Sequence, residues 1–166
     1  MAMFSVNSTR IDPYKNFRFL VLFGNEVVAG ASKISGLKHT VEVVEHRHGG
    51  SFATKHKSPG LTTFEPITIE RGISFDEAFE DWANLVYSTE GPGVLSLKNF
   101  RRDITIQLYN MQGVKVRAWN AFRCWVSEFT AVPELDANAN AIAFESIVLQ
   151  NEGFARDTAV VEVAET

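Results

Sequence analysis

The sequence predicts a mainly β fold, either an antiparallel barrel or two packed sheets, of about eight strands with one flanking α-helix at about residues 74–88. Many short segments alternate apolar and polar residues at even spacing, which is the period of a strand. Helical spacing of apolar residues is clear only in the stretch 74–88. The aromatic content of 11% also suits sheets, where large rings pack well on a pleated surface.

The helix is predicted from its ends and from one apolar face. Ser74 is a suitable N-cap, and Glu77 three residues later completes a capping box. Further acidic residues lie near the start, where the positive end of the helix dipole stabilises negative charge. Gly91 and Pro92 lie shortly beyond and prevent continuation. We expect the helix to dock on the sheet through the apolar face formed by Phe75, Ala78, Phe79, Trp82, Leu85 and Val86.

Four strands are predicted before the helix. Residues 17–23 alternate, and Gly24 with Asn25 is a two-residue hairpin signal that leads into a return strand. A third strand covers about residues 40–47. A fourth covers about 63–71, with Ile67 and Ile69 on one face and Pro66 at an edge or a bulge.

A long polar loop is predicted at residues 49–61. It contains Lys55, His56, Lys57 and Pro59, and it has neither helical nor strand periodicity. Loops of this length are uncommon inside compact domains and are usually functional or bound to a partner. A solvated surface loop is the alternative, and the residues alone leave both open.

More strands are predicted after the helix. A hairpin loop at 110–113 joins two of them, and a turn-rich connector at 133–140 precedes the last. The predicted strands are a short bridging strand at 94–97, then 102–109, 114–119, 122–129 and 141–150.

The length of 166 residues predicts one domain, at residues 14–153, with an N-terminal arm at 1–13 and a C-terminal tail at 154–166. No apolar run approaches the ~18 residues of a membrane span, and residues 1–10 lack the apolar core of a signal peptide, so we expect neither a membrane partner nor general secretion. The net charge of −4 disfavours a dedicated nucleic-acid binder.

The residues offer no catalytic constellation. Nucleophile motifs, a phosphate-binding loop and a dinucleotide fingerprint are all missing, and Gly-x-Gly occurs only at 91–93, where Pro92 blocks a phosphate-cradling role. The single cysteine, Cys124, is expected to be a buried structural thiol. We therefore expect no enzyme, no catalytic residue and no cofactor.

All four histidines fall within one short span. His46 and His48 share a face of the third strand, and His-x-His on a strand can chelate zinc. No carboxylate, cysteine or further histidine sits at a diagnostic spacing, and His56 lies in an unconstrained loop, so we expect no metal site. A monomeric ligand-binding or zinc-binding barrel is the alternative from another functional class, and it would have an internal pocket.

Four groups of residues, in order, carry a family resemblance. They are the entry at 12–19; residues 35–37, 41–42 and 49–50; residues 57–60 followed by 67–72; and Trp119 and Trp125 followed by 134–145 and 151–153. Together they make residues 12–156 resemble the tail-tube proteins of contractile phages and phage-like contractile injection systems. The motif positions are Asp12, Pro13, Gly36, Pro59, Gly60, Arg71, Gly72, Trp119, Asp136 and Asn140.

The resemblance implies a structural subunit of an inner tail tube. Hexameric rings would stack into a hollow conduit, and neighbouring subunits would continue one another's sheets, which satisfies exposed strand edges. The tube would lie in a virion tail or an injection particle and assemble in the cytoplasm of the bacterial host. The predicted loop would contact the adjacent ring through Phe52, Lys55, His56, Lys57 and Pro59.

The partners implied by the resemblance are further copies of the chain, a tail sheath protein, a tape-measure protein and baseplate or hub proteins. In a phage tail, DNA would pass through the lumen without specific binding. A ring of six copies would carry six times the net charge of one chain, and negative charge facing the lumen would repel phosphates. The alternative is a tube that carries protein effectors, as in an extracellular injection or type VI-like system.

Overall fold

The computed structural model describes residues 4–28, 30–50, 53–89, 91 and 95–166. The described residues form ten strands and one α-helix, so the predicted mainly β class with a single flanking helix is confirmed. In chain order the elements are β1 (Phe19–Phe23), β2 (Glu26–Val27), β3 (Ala31–Ile34), β4 (His39–His46), β5 (His56–Phe64), β6 (Ile67–Gly72), α1 (Ala78–Asn84), β7 (Arg102–Tyr109), β8 (Lys115–Thr130), β9 (Phe144–Gln150) and β10 (Phe154–Arg156).

Eight strands form one antiparallel sheet. Its order is β2-β1-β7-β8-β9-β6-β3, and β10 pairs with β8. The first part of β8 pairs with β7 and the second part with β9. Between them Arg123 has a φ of 52°, a left-handed conformation, and its N–H donates to Asp103 Oδ1 at 2.8 Å. Two strands predicted at 114–119 and 122–129 are therefore one long strand, continuous through this irregular residue.

The core consists mainly of apolar side chains at alternate positions of the strands. In β6, Ile67 and Ile69 are buried while Thr68 and Glu70 are partly exposed, as the sequence pattern predicts. Val21 and Ile104 come from the β1–β7 pair, and the side chains meet between the two parts of the sheet. Burying each large aliphatic side chain contributes about 1.5–3 kcal/mol, so this alternation is the main stabilising feature of the fold.

The helix is shorter than predicted, and the proposed capping box is wrong. Glu77 occupies the N-cap position and makes no side-chain capping bond. Instead Asp76 Oδ1 accepts the Ala78 N–H at 3.0 Å, while Ser74 Oγ accepts the Asp76 N–H at 3.3 Å. Phe75, predicted to be buried, is fully exposed.

The docked face of α1 is confirmed at its two largest residues. Phe79 and Trp82 are fully buried, and the Trp82 ring lies 4.6 Å from the Phe23 ring, centroid to centroid. The Trp82 indole N–H donates to the Phe100 carbonyl at 2.7 Å, which satisfies its polar atom. This helix is too short to cross a membrane, and no other helix occurs in the described residues.

The segment after the helix differs from the prediction. Of the strand predicted at 94–97, Val94 lies outside the described residues and Leu95 to Leu97 form no strand. The Ser96 N–H donates to the Leu85 carbonyl at 3.2 Å, and Ser96 Oγ accepts the Asn99 N–H at 3.1 Å. The segment is therefore a turn that packs back on the end of α1. Pro92, predicted together with Gly91 to stop the helix, also lies outside the described residues.

The largest correction concerns the predicted polar loop at 49–61. Residues from His56 onward form β5, which pairs with β4 in a separate two-stranded ribbon. Every residue of β4 is exposed, and so are most residues of β5. Since neither strand has a buried face, neither shows a clear alternation of apolar and polar residues. Pro59 is tolerated because a two-stranded ribbon has a free edge on each strand.

The predicted fourth strand, at 63–71, is two strands. β5 ends at Phe64 and β6 begins at Ile67, because Glu65 and Pro66 form a break between the ribbon and the main sheet. Asn151 Nδ2 donates to the Glu65 carbonyl at 2.9 Å, which ties this break to the end of β9.

Candidate functional site

A buried ion cluster joins β6, β9 and the start of α1. Arg71 and Glu145 are direct partners in the β6–β9 pair, and the Arg71 side chain is fully buried. Its Nε donates to Glu145 Oε1, and its Nη1 lies 2.7 Å from Asp76 Oδ2. Nη2 donates to the Asp76 carbonyl, and the guanidinium carbon lies 4.1 Å from the centre of the Phe79 ring. The motif residue Arg71 is therefore a structural anchor.

Hydrogen bonding and charge favour the ionised form of Asp76. The pKa of Asp76 is lowered chiefly by the hydrogen bond from the Ala78 N–H, and burial opposes that effect. The positive charge and hydrogen bond of Arg71 lower the pKa further. Holding Asp76 against Arg71 also keeps residues 73–77 out of the helix, which explains why α1 begins four residues later than predicted.

The β4–β5 ribbon ends in a cluster of charged residues and histidines. Lys55 Nζ lies 2.8 Å from Glu45 Oε2, and Lys57 Nζ lies 3.8 Å from Glu45 Oε1. His56 is the strand partner of His46. Four of the five residues predicted to contact an adjacent ring (Lys55, His56, Lys57 and Pro59) thus lie on this exposed ribbon, and the fifth, Phe52, lies outside the described residues.

Gly60 allows the two ribbon strands to approach closely. A Cβ at this position would lie 2.9 Å from Val44 Cγ2 and 3.1 Å from the Glu42 carbonyl oxygen. The approach coincides with a register irregularity between Val41 and Val43. The motif pair Pro59 and Gly60 therefore shapes the ribbon.

A groove opens between β1 and the segment from β3 to Leu37. Its volume is about 650 Å³, and the motif residues Gly36 and Trp119 line it together with Phe19, Ile34 and other apolar side chains. The monomeric barrel considered from the sequence would have an internal pocket, whereas this groove is open at the surface.

The other motif positions make turns or sheet ends. Asp136 Oδ1 accepts the Asn138 N–H at 2.9 Å, and Asn140 is exposed just beyond this turn. Gly72 is the last residue of β6. Asp12 and Pro13 lie in the N-terminal arm, where the Arg10 side chain donates to the Asp12 carbonyl at 2.8 Å.

The two termini bind each other. Glu162 accepts hydrogen bonds from the backbone N–H groups of Ser5, Val6 and Asn7 at 2.6, 3.0 and 3.0 Å. In return, Asn7 Oδ1 accepts the Glu165 N–H at 2.8 Å. Burial raises the pKa of Glu162, but the hydrogen bonds outweigh it and lower the pKa to about 2. We call this contact the terminal clasp.

Cys124 is unsuited to nucleophilic chemistry. The side chain is fully buried, and burial together with the charge of Asp103 raises the pKa of the thiol to about 12. The reactive thiolate is therefore nearly absent at neutral pH.

Much of the remaining surface carries large apolar side chains. Phe75 is fully exposed, and Ile11, Leu61, Leu97, Leu135 and Ile142 are each more than two-thirds exposed. Single exposed apolar residues are ordinary, but unpaired strand edges accompany them here: β2 and β3 end the main sheet, and the ribbon stands apart from it within the described residues. These features are suited to contacts between subunits.

Comparisons with known proteins identify the family of the chain. The model of the family described as T4-like virus tail tube protein gp19 matches residues 15–155. The chain belongs to this family. The resemblance inferred from the sequence is confirmed, and the chain is a tail tube protein of contractile, phage-like systems.

Solved structures of tube complexes are similar along nearly the whole chain. A chain of the PVC sheath–tube complex in the extended state, an extracellular contractile injection system, is 25% identical with a TM-score of 0.75, covering 94% of this chain and 99% of that chain. A chain of the anti-feeding prophage cap is 26% identical with a TM-score of 0.74, covering 93% and 99%.

More distant structures share only the fold. A chain of the native gene transfer agent virion is 9% identical with a TM-score of 0.53, covering 84% of this chain and 95% of that chain. No curated protein matches the chain.

Proposed function

We propose that six copies of this chain close into a ring and that the rings stack into the hollow inner tube of a contractile particle. The family match over residues 15–155 carries this proposal. The exposed ribbon and the open edges of β2 and β3 support it, because a ring can continue the sheet from one subunit to the next. The tube acts as a conduit and performs no catalysis.

Inter-ring contact is assigned to the tip of the β4–β5 ribbon. Lys55, His56, Lys57 and Pro59 are exposed there, and Phe52 precedes them in the chain. The proposed tube body is residues 14–153, with 1–13 and 154–166 as flanking segments, of which Phe154–Arg156 pair with β8. Partners are the sheath, the tape-measure protein and the baseplate, and assembly takes place in the bacterial cytoplasm.

The tip assignment is tested with the double variant Lys55→Glu/Lys57→Glu. Reversing both charges places two new carboxylates beside Glu45, three in all on each chain, and removes the ion pairs of Glu45, so rings should form without stacking. Lys115→Glu, at the exposed start of β8, is the matched control and should give tubes. Negative-stain microscopy distinguishes the outcomes, and normal tubes from the double variant would contradict the assignment.

The passage of DNA is the leading proposal for the cargo. One chain carries a net charge of −4, and a lumen that shares this sign would let a polyanion pass without adsorbing. Tubes mixed with labelled DNA at low salt should leave the DNA free in solution. Tight binding that weakens steeply as salt rises would show a basic lumen and contradict this proposal.

Protein effectors are the second candidate cargo. The similarity to the PVC sheath–tube complex, an extracellular contractile injection system, favours it. Particles purified with this tube would then contain protein and no nuclease-protected DNA, which microscopy and mass spectrometry can establish.

A further inference from the structure

Three histidines converge at the tip of the β4–β5 ribbon. The ring centres of His46 and His48 are 5.4 Å apart, those of His46 and His56 are 5.5 Å apart, and those of His48 and His56 are 5.9 Å apart. We call these residues the tip histidines. The sequence predicts an unconstrained loop at His56, whereas the structure places this residue at the start of β5, opposite His46.

The backbone fixes this convergence. His46 and His56 are direct partners at the end of the β4–β5 pair, and His48 follows His46 by two residues. Alternation along the strands puts Glu45 and Lys57, themselves partners, on the opposite face. The ion pairs of Glu45 with Lys55 and Lys57 therefore keep the nearby ammonium groups on that other side.

Three imidazoles are a suitable ligand set for a divalent transition metal. Zinc binds histidine nitrogen at about 2.0–2.1 Å, so rings that share one tetrahedral ion have centres roughly 5 Å apart. The tip histidines are within an ångström of that spacing. Imidazole also suits copper and nickel, which bind nitrogen ligands by the same chemistry.

Binding requires the three side chains to change their rotamers. In the described residues no group of three or more His, Cys, Asp or Glu side chains is already arranged to hold a metal ion. All three tip histidines are exposed, and exposed side chains change rotamer within nanoseconds. We propose that the tip histidines together bind one zinc ion, or a similar divalent transition metal, and leave a fourth coordination position open.

Zinc binding is tested by calorimetric titration of zinc chloride into the full chain, purified without a histidine tag. The expected result is one zinc per chain in the wild type and no binding in His46→Ala/His48→Ala/His56→Ala. The matched control is His39→Gln, because His39 lies at the other end of β4 against Phe64 and Phe154. That variant should bind zinc as the wild type does.

The single variant His56→Ala provides the sharper test. It leaves the His-x-His pair intact, so it should bind zinc more weakly than the wild type only if the third ring is a ligand. Circular dichroism confirms that each variant is folded. The proposal is overturned if the wild type takes up no zinc, if the triple variant binds it equally well, or if His56→Ala has no effect.

Discussion

At the scale of single residues, Arg71 links the main sheet to the start of α1. It is fully buried, and its charge is balanced by Glu145 across the strand pair and by Asp76 at the start of the helix. A buried pair contributes little net stability compared with apolar packing, but removing one partner leaves an uncompensated charge. Arg71 thus joins the main sheet to α1 through charge and through its contact with Phe79.

Replacing Arg71 by methionine should destabilise the unassembled chain by about 3–5 kcal/mol, because Glu145 would be left buried without its partner. Denaturant unfolding followed by tryptophan fluorescence measures the loss. Lys33→Met is the matched control: the Lys33–Glu70 pair, at 3.3 Å, joins neighbouring strands but Lys33 is largely exposed, so the loss should not exceed about 1 kcal/mol. Equal losses would contradict the anchoring role.

At the scale of elements, the β4–β5 ribbon is an outlying unit with its own requirements. It buries little of its surface, and its strands are joined by backbone pairing and by the close approach at Gly60. Elements of this kind open more readily than a core sheet, because few apolar contacts hold them closed.

Gly60→Ala should loosen the ribbon without unfolding the core. The new methyl group would press on Val44 and on the Glu42 carbonyl, and overpacking of this kind costs about 1–3 kcal/mol. Hydrogen exchange should quicken in β4 and β5 and stay unchanged in β6 and β9. Gly36→Ala is the control, since nothing lies within 4 Å of its added Cβ. Unchanged exchange in the Gly60 variant would contradict the steric account.

The terminal clasp is the second element with a specific dependence. The folded pKa of Glu162, about 2, lies below its ordinary value of 4.5. Stability from this carboxylate is therefore fully present above the ordinary value and is lost as the pH falls towards 2. The clasp should be closed at neutral pH and should open in acid.

Glu162→Gln should open the clasp at neutral pH, because the amide loses the charge that strengthens bonds from Ser5, Val6 and Asn7. NMR signals of those three amides should shift towards values typical of unfolded chain, as they should in the wild type at pH 2. Glu134→Gln, in the exposed connector before β9, is the control. Unshifted amide signals in the Glu162 variant would contradict the clasp.

At the scale of the whole molecule, the chain is built to be completed by copies of itself. Among the described residues, the sheet has open ends at β2 and β3, the ribbon stands apart, and large apolar side chains such as Phe75 and Leu61 are exposed. A monomer with such a surface is prone to association, and a closed ring of subunits is the ordered way to satisfy it.

Stability of the tube protein should therefore depend on its concentration. Subunit contacts stabilise the folded state by mass action, so the Tm should rise along a series of increasing protein concentration. Scanning calorimetry measures the Tm, and light scattering on the same samples reports the assembly state. A Tm that stays constant while the scattering shows assembly would mean that the contacts contribute no stability.

The accuracy with which the sequence predicts the bounds of an element differs from one element to the next. Strand β7 matches the predicted bounds at 102–109, because alternation through Ile104 and Ile106 is strong and turns flank it. The predicted start of α1 was wrong, because the capping signal at Ser74 lost to the bonds that hold Asp76 against the buried side chain of Arg71. β5 was missed because an exposed strand has no burial pattern to reveal it.

The sequence by itself determined the mainly β class, the single docked helix and the family, since these depend on local periodicity and on ordered motifs. Only the tertiary structure decided which residues meet across the chain. It placed Arg71 between Glu145 and Asp76, joined Glu162 to residues 5–7, and brought His56 beside His46 and His48. Such contacts depend on strand register and on chain reversal, which no local pattern of residues encodes.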